Sequence, residues 1–351
     1  MGEPTCNKLP VLSFNSQRRF GIELEINSFD KKSRPESGKR PAGIEHVARV
    51  VQENTEEGAD IKDYEHTQDN SRWIIKPDSS CGIEICTPPL KGWRGIKKVC
   101  QVVEAFRRDS KISVDRRCSV HVHVEVADLC EAEIASIICH WIKAEQIFLD
   151  LVPLERKRNR YCQSIDMTSL FEVESQLAPA DIIRRIGDVK YYSLNTNQMR
   201  RTNNQRKTLE FRIIEGAGCK DPFLCKNWVR LLLHFVEMTC RRPLPAPFKM
   251  NDPWTGFCLL DTKHVMDILG FGNDPSIYEL STGLTQTRNW MLARLLCYID
   301  SGEGKGPRWK AAEELKEIVG KFAEQGVIID PKEHLSPSDL VDALYNDNLR
   351  Y

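Results

Sequence analysis

A short segment, Phe20-Gly-Ile-Glu-Leu-Glu-Ile26, places two carboxylates where they can act together. Its alternation predicts a β-strand with Glu23 and Glu25 on one face and aliphatic side chains on the other. Two adjacent carboxylates on an otherwise apolar strand repel each other and resist burial. We therefore expect a cation to hold them.

Three later segments repeat this layout. Trp73–Lys76 and Gly82–Cys86 are predicted to form a hairpin, and Ser119–Val126 and Thr208–Ile214 are predicted strands. Acidic, imidazole and guanidinium side chains alternate with aliphatic ones along these strands or lie in the hairpin turn: Asp78, Glu84, His121, His123, Glu125, Glu210 and Arg212. If the strands are neighbours, one face of a sheet gathers these groups with Glu23 and Glu25.

The donor types favour a hard divalent cation. Mg²⁺ takes oxygen ligands and usually phosphate oxygens as well, so a carboxylate-rich face with a few imidazoles suits Mg²⁺ or Mn²⁺ bridging a nucleotide. A closed structural Zn²⁺ site fits this donor set less well. Arg212 has two possible roles: it could pair with Glu210, or it could offset charge on a transferring phosphoryl group.

Each pattern alone also has a simpler interpretation. A Glu-x-Glu strand is usually a solvent-exposed sheet face, His-x-His is a polar face about as often as a metal pair, and Glu-x-Arg is most often an ion pair. Polar groups of this kind recur on four aliphatic-backed strands, with little of the Lys and Thr typical of a solvated face. That repetition favours a single site.

The run Arg156-Lys-Arg-Asn-Arg160 follows a long predicted helix. A solvated basic loop is the default interpretation. Guanidinium groups beside a metal–phosphate site could instead bind phosphate or carboxylate, and Lys76, two residues before Asp78, could join Arg156 and Arg160 there.

Common nucleotide-binding sequences are missing. No Gly-x-Gly-x-x-Gly follows a strand, and Gly302-Glu-Gly-Lys-Gly306 lacks the first glycine and the Ser/Thr of a phosphate loop. His123-Val-Glu125 lacks the Pro-Cys-x-x-Cys partner of zinc deaminases. If the protein uses ATP, we expect metals and arginines to hold the phosphates.

The composition is that of a globular protein without a large net charge. The 351 residues are 41% hydrophobic and 28% charged, and 50 Lys+Arg balance 50 Asp+Glu, so nucleic acid is not an expected partner. No membrane-spanning run or signal peptide is recognisable, and the 13 scattered cysteines without a Cys-x-x-Cys pair fit reduced thiols. We predict a cytoplasmic protein, with its oligomeric state left open.

The distribution of elements predicts an α+β fold in two parts. Strands and helices are mixed in residues 1–242, and residues 243–351 are predicted to be a helical C-terminal extension. Helices are predicted at 43–54, 93–108, 131–151, 227–240, 265–269, 289–299, 309–322 and 337–345, a further strand at 190–195, and a loop at 29–41.

Several of these segments resemble motifs of the amidoligase family, in the family's order. They are Gly21-Ile-Glu-Leu-Glu25, Lys76-Pro-Asp-Ser-Ser-Cys-Gly-Ile-Glu84 with Thr87-Pro-Pro-Leu90, Ser119-Val-His-Val-His123, Arg160-Tyr-Cys162, Tyr192-Ser-Leu-Asn195 and Thr208-Leu-Glu-Phe-Arg212. That family belongs to the carboxylate–amine ligase superfamily, with glutamine synthetase and glutamate–cysteine ligase.

The resemblance implies a curved, mainly antiparallel sheet of the glutamine synthetase type and ATP-dependent formation of an amide or peptide-like bond. ATP with Mg²⁺ (or Mn²⁺) would phosphorylate a substrate carboxylate, and an amine would displace phosphate from the acyl phosphate. Carried over motif by motif, Glu23, Glu25 and Glu84 would be metal ligands, and His121 or His123 and Glu210 would complete the metal and phosphate shell. Arg212 would stabilise the transferring phosphoryl group, together with Glu210 in catalysis. Asp78 would be a further ligand or the group that deprotonates the amine. The residue types add Lys76, Arg156 and Arg160 as expected nucleotide-binding residues beside His121 and Arg212, and we expect His123 among the metal ligands.

Two other functions are compatible with the same residues. A metal-dependent hydrolase or nuclease would use a metal-activated water and need no ATP. A non-catalytic binding protein derived from the ligase fold would bind no metal–nucleotide. The substrates are an unspecified carboxylate and amine: an amino acid, a peptide, a polyamine or a modified macromolecule.

Overall fold

The computed structural model describes residues 11–12, 17–29, 40–63, 71–165, 178–186, 189–199, 207–243, 261–272, 279–299 and 307–337. In chain order, the elements are β1 (Val11–Leu12), β2 (Arg19–Asn27), α1 (Ile44–Glu53), β3 (Ala59–Ile61), β4 (Trp73–Asp78), β5 (Gly82–Cys86), β6 (Leu90–Lys91), α2 (Gly92–Arg108), β7 (Ser119–Glu125), α3 (Glu131–Leu149), α4 (Leu154–Lys157), α5 (Pro179–Ile186), β8 (Leu194–Asn195), β9 (Thr208–Glu215), α6 (Pro222–Cys240), α7 (Thr262–Ile268), β10 (Glu279–Leu280), α8 (Thr282–Tyr298), α9 (Pro307–Glu324) and α10 (Pro331–His334).

An eight-stranded sheet forms the centre of the molecule. Its strand order is β3-β4-β5-β2-β7-β9-β8, and β6 pairs with the start of β2. Among the described strands of this sheet, only β3 and β4 pair in parallel. The predicted α+β class with a mainly antiparallel sheet is therefore confirmed, and its assignment to the glutamine synthetase type stays a prediction.

Alternation divides the sheet into an apolar and a polar face. Ile22, Leu24, Val120 and Val122 are at most 1% exposed and lie under the helices. Trp141 of α3 joins helices to sheet, because its ring stacks on Phe148 and meets the edges of Phe211 in β9 and Phe235 in α6. Such aromatic pairs add to the free energy of apolar burial. The helices therefore cover one face and leave the other to the polar side chains.

A tight turn closes the β4–β5 hairpin. Asp78 Oδ1 accepts hydrogen bonds from Ser80 N at 2.7 Å and Cys81 N at 2.9 Å, which fixes the turn at its start. Gly82 has a φ of +126°, a conformation that L side chains rarely adopt, and a Cβ there would lie 2.5 Å from Ser28 N. The predicted hairpin is confirmed.

Several predicted boundaries were wrong. Helix α8 begins at Thr282 and not at 289, and helix α7 begins at Thr262 and not at 265, because Asp261 caps His264 N. The segment 190–195 is a strand only at Leu194–Asn195, because Lys190 and Tyr191 lie in a turn. Helix α6 begins five positions before the predicted start, since Asp221 caps Phe223 N and Leu224 N and Pro222 occupies the first turn. Most of the predicted helix at 337–345 and most of the predicted loop at 29–41 lie outside the described residues.

The C-terminal helices pack onto the mixed α/β part. Arg294 of α8 is fully buried, and its Nε donates to Leu151 O while its guanidinium also donates to Glu215 Oε1, both at 2.6 Å. The buried apolar side chains of both parts form one continuous cluster. The boundary between residues 242 and 243 stays a prediction. None of the described helices has the length and hydropathy needed to cross a membrane.

Candidate active site

Strand register brings the predicted site residues together. Glu23 of β2 lies opposite His121 of β7, and His123 lies opposite Glu210 of β9. On the other side of β2, Glu25 lies opposite Glu84 of β5. Because directly opposed residues on one face are close neighbours, four strands contribute to a single polar patch.

The centre of the patch is a group of three potential ligands. One ligand atom from each of Glu23, His123 and Glu210 lies within 4.8 Å of the other two. His123 Nε2 is 3.1 Å from Glu23 Oε1, yet the atom is buried and its geometry with that oxygen is not a hydrogen bond. An unsatisfied buried polar atom raises the free energy of the folded state. A ligand bound between these groups would remove that cost.

His121 has both ring nitrogens engaged. Its Nδ1 lies 2.9 Å from Glu23 Oε2, and its Nε2 lies 2.8 Å from Ser119 Oγ. Ser119 Oγ in turn donates to Glu25 Oε2 at 2.5 Å. The imidazole therefore joins two carboxylates to the start of β7, whereas His123 Nε2 has an ion-pair contact with Glu23 but no aligned hydrogen bond.

A second group of potential ligands adjoins the first. Ligand atoms of Glu23, Glu84 and Cys86 also lie within 4.8 Å of one another. Cys86 Sγ donates to Glu84 Oε1 at 3.0 Å, and Lys76 Nζ lies 2.8 Å from the same oxygen. The strand register places Lys76 directly opposite Glu84, and the two side chains form an ion pair across the hairpin.

Arg212 lies beside the central group. Its Nη1 donates to Glu210 Oε1, and Asn195 Nδ2 donates to Glu210 Oε2 at 2.6 Å. The Nε of Arg212 donates to Tyr161 O at 3.3 Å. Both possibilities foreseen for Arg212 remain compatible with this geometry, because the ion pair also positions the guanidinium against the patch.

A β-bulge places Arg212. The β7–β9 register shifts between Val120 and Val122, so that Arg212 and Ile213 together face His121. Arg156 Nε donates to Ile213 O at 3.2 Å, and its Nη2 donates to Arg212 O. Arg156 is buried, and the guanidinium holds the two carbonyls that the bulge displaces. Its predicted role in nucleotide binding stays a prediction.

Asp78 and Arg160 lie at the margins of the site. Asp78 Oδ1 is engaged by the backbone and side chains of Ser80 and Cys81 in the turn. Arg160 is exposed, and its guanidinium stacks on the Tyr161 ring at 4.8 Å. The roles predicted for these two residues stay predictions.

Charges are concentrated in this region. Burial alone would lower the pKa of His123, but the Glu23 and Glu210 carboxylates outweigh it and raise that pKa to about 9. Burial, reinforced by Glu23, raises the pKa of Glu84 to about 7 despite Lys76. Burial also acts to raise the pKa of Glu23, yet His123 and His121 hold it well below its usual range. Protons therefore occupy positions that a divalent cation could take.

The donor set fits a divalent cation. Two carboxylates and one imidazole whose buried Nε2 makes no aligned hydrogen bond suit Mg²⁺ or Mn²⁺. The thiol of Cys86 is a softer donor, which Mn²⁺ accepts more readily than Mg²⁺ does. The observation that favours a bound cation is His123 Nε2, which is buried without a hydrogen bond.

Three contributing residues were not predicted as site residues. Ser119 and Asn195 orient carboxylates through hydrogen bonds, and Cys86 completes the second group. Cys86 follows Glu84 at the period of two and could have been found by extending the alternation. The role of Asn195 depends on pairing with β9, which no local pattern shows.

The comparisons with known proteins point to one family. A family model described as "Putative amidoligase enzyme" matches residues 16–236, which include every strand of the polar patch. No functionally curated protein matches the chain.

One solved structure with a weak likeness is a bifunctional glutathione synthetase from Pasteurella multocida. It has 10% sequence identity and a TM-score of 0.38, and the match covers 88% of this chain and 53% of that one. This chain thus spans about half the length of that enzyme, and a likeness at this level carries no argument about fold or function. The family match extends over more than half of the sequence, and the chain therefore belongs to the amidoligase family.

Proposed function

We propose that this ligase-family chain is an ATP-dependent carboxylate–amine ligase that forms an amide bond through an acyl phosphate. The convergence of Glu23, His123 and Glu210 beside Arg212 is the observation that supports this proposal most strongly. Phosphoryl transfer needs mainly positioning and charge neutralisation, and the polar patch offers both. A substrate carboxylate needs such activation because oxide is a poor leaving group.

Glu23, His123 and Glu210 would hold one divalent cation. Glu84 and Glu25 are the further predicted ligands, and Cys86 lies with Glu23 and Glu84. A bound Mg²⁺ or Mn²⁺ supplies neutralisation of the phosphate charge. Lys76 and His121 lie within the same patch, where they add positive charge or orient the carboxylates.

Arg212 stabilises the phosphoryl group during transfer. Its guanidinium is fixed by Glu210 and the Tyr161 carbonyl, and Arg156 fixes the backbone below it. Preorganised charge of this kind is effective because it needs no rearrangement as the reaction proceeds. The γ-phosphoryl leaves ADP and bonds to a carboxylate oxygen of the acid.

The second step is attack by the amine. The nitrogen bonds to the acyl carbon, the phosphate leaves with the oxygen it received, and the amine loses its proton to a base. Asp78 is the predicted base, although its Oδ1 already accepts the turn hydrogen bonds.

The route is tested by screening acid–amine pairs for phosphate release, with the carboxylate oxygens of the acid isotopically labelled. We expect release to require ATP, acid and amine together, and label to appear in the phosphate. Phosphate release without acid or amine, or phosphate that is free of label, would contradict the acyl-phosphate route. Turnover with metal but without ATP would favour a hydrolase.

A further inference from the structure

A line of stacked side chains leads outward from Arg212. Arg160 lies over the Tyr161 ring at 4.8 Å, the Tyr161 and Tyr191 rings meet edge to face at 5.3 Å, and Lys190 lies over the Tyr191 ring at 4.8 Å. We call these four residues the cationic ledge. Cation–π contacts hold each positive group at a defined position on an aromatic ring.

The backbone makes the ledge rigid. Gln163 N donates to Tyr191 O and Ser193 N donates to Gln163 O, both at 2.8 Å, so the two chain segments that supply the rings are tied together. Arg160 Nη2 also donates to the Tyr161 hydroxyl oxygen at 2.8 Å. Preordered side chains lose less conformational entropy when a ligand binds.

The ledge is joined directly to the active site. Tyr161 O accepts a hydrogen bond from Arg212 Nε, while the Nη1 of the same guanidinium faces Glu210. Arg212 therefore lies between the ligand group around Glu23 and the ledge. A molecule whose carboxylate reaches Arg212 for phosphorylation would extend its remaining part over the ledge.

Among the described residues, no carboxylate balances the charge of the ledge. Arg160 and Lys190 are exposed, and no ion pair joins either of them to a carboxylate in the described portion of the chain. By contrast, Lys76, Arg212 and Arg294 each have a glutamate partner. Two fixed cations without an acidic partner attract an anionic group on a ligand.

We infer that the cationic ledge binds an anionic group of the acid substrate, so that this site takes an acid with at least one negative charge besides the carboxylate being joined. The inference rests on the proposed function, because it names the class of acid that the ligase site accepts. The anionic group of an acid substrate and a nucleotide phosphate are both oxyanions, so either could bind the ledge. Phosphates gathered by the central ligand group would lie on the other side of Arg212.

The test compares two labelled tripeptides, one of glutamate and one of glutamine, by fluorescence anisotropy with the full chain. We expect the wild-type protein to bind the glutamate peptide more tightly than the glutamine peptide. The double variant Arg160→Ala/Lys190→Ala should weaken glutamate-peptide binding by about tenfold or more. The charge-preserving double variant Arg160→Lys/Lys190→Arg should restore most of that loss.

Arg158→Ala is the matched control, because Arg158 is an exposed arginine of the same segment whose side chain has no described ring contact. This variant should bind the glutamate peptide as the wild type does. Equal affinity for both peptides, or equal loss in Arg158→Ala, would overturn the inference.

The affinity for MgATP, measured separately, distinguishes the two oxyanion sources and the two proposals. The inference replaces the nucleotide role predicted for Arg160, so we expect the Arg160→Ala/Lys190→Ala variant to keep MgATP affinity. A loss of MgATP affinity with unchanged peptide binding would assign the ledge to the nucleotide and overturn the inference. If the wild type fails to bind MgATP, the proposed function fails, and the peptide comparison alone still decides whether the ledge selects anions.

Discussion

At the scale of single residues, Glu23 connects the two ligand groups and both histidines. Its Oε1 faces His123 and its Oε2 faces His121, and it belongs to each group of potential ligands. Arg212 differs from these residues because it contacts the patch as a donor rather than as a ligand. We therefore expect substitution of Glu23 to affect metal binding and substitution of Arg212 to affect turnover.

Arg212→Ala should lower turnover far more than MgATP affinity. In the proposed mechanism the guanidinium acts on charge that develops during phosphoryl transfer, so we expect a fall of about 10²–10³ in kcat. Steady-state kinetics and a direct MgATP binding assay measure the two effects. Arg158→Ala serves as the control, and an unchanged kcat in Arg212→Ala would remove this residue from the mechanism.

Glu145 should make stability depend on pH. Burial raises its pKa to about 7, although Ser193 Oγ and Ile165 N donate to it. In the unfolded chain a glutamate has a pKa of about 4.3, so the folded state holds the proton more tightly between these values. The contribution is fully present below about pH 4, and the free energy of unfolding falls by about 3 kcal/mol as pH rises to about 7.

Glu145→Gln removes this proton while keeping a hydrogen-bonding side chain. Urea denaturation over a pH series should show that the difference between variant and wild type grows toward pH 7 in favour of the variant. Glu131→Gln, at an exposed position in the same helix, should show no comparable trend. A difference that is independent of pH would contradict the raised pKa.

At the scale of elements, the β4–β5 hairpin sets the register that places Lys76 opposite Glu84, and the pairing of β5 with β2 places Glu84 opposite Glu25. A one-residue slip would move these side chains to the apolar face. The register depends on the turn, and the turn depends on Asp78 and Gly82.

Gly82→Ala should destabilise the fold by about 3 kcal/mol or more, since the left-handed φ is strained and the new Cβ meets Ser28 backbone. Gly320→Ala is a matched control in helix α9, where a Cβ meets no atom within 4 Å. That control should stabilise by about 0.5–1 kcal/mol. Urea denaturation midpoints measure both, and equal effects would contradict the role of Gly82.

The alternating strands were predictable because a period of two fixes which side chains share a face. The convergence of these faces was predicted only on the condition that the strands are neighbours. The bulge at Arg212 and Ile213 was not predictable, because it depends on pairing with His121 of β7, a residue far away in the sequence. The two-residue strand at Leu194–Asn195 is equally a product of tertiary pairing. The hydrogen bonds from Arg156 to the carbonyls of that bulge were not predictable for the same reason.

At the scale of the whole molecule, the C-terminal helices are joined to the central sheet by a buried ion pair. Arg294 and Glu215 are both buried, and Glu215 ends the strand that bears Glu210 and Arg212. Helix α8 therefore contacts the element that supplies the active site. We expect the two parts to unfold together.

Arg294→Met should cost about 3–5 kcal/mol, because it leaves the Glu215 carboxylate buried without its charged partner. The double variant Arg294→Met/Glu215→Gln should recover part of that loss. Both should unfold in a single urea transition. Two separate transitions, with only one affected by Arg294→Met, would show instead that residues 243–351 form an independent extension.

The most direct test of the site is Mn²⁺ binding followed by electron paramagnetic resonance in the presence of ATP. We expect the wild-type protein to bind Mn²⁺ with ATP and Glu23→Gln to lose that binding by about tenfold or more, since each ligand contact is charged. Glu125→Gln, on the same strand as His123 but outside both ligand groups, should bind as the wild type does. Undiminished Mn²⁺–ATP binding by a folded Glu23→Gln variant would contradict a shared metal–nucleotide site on this sheet.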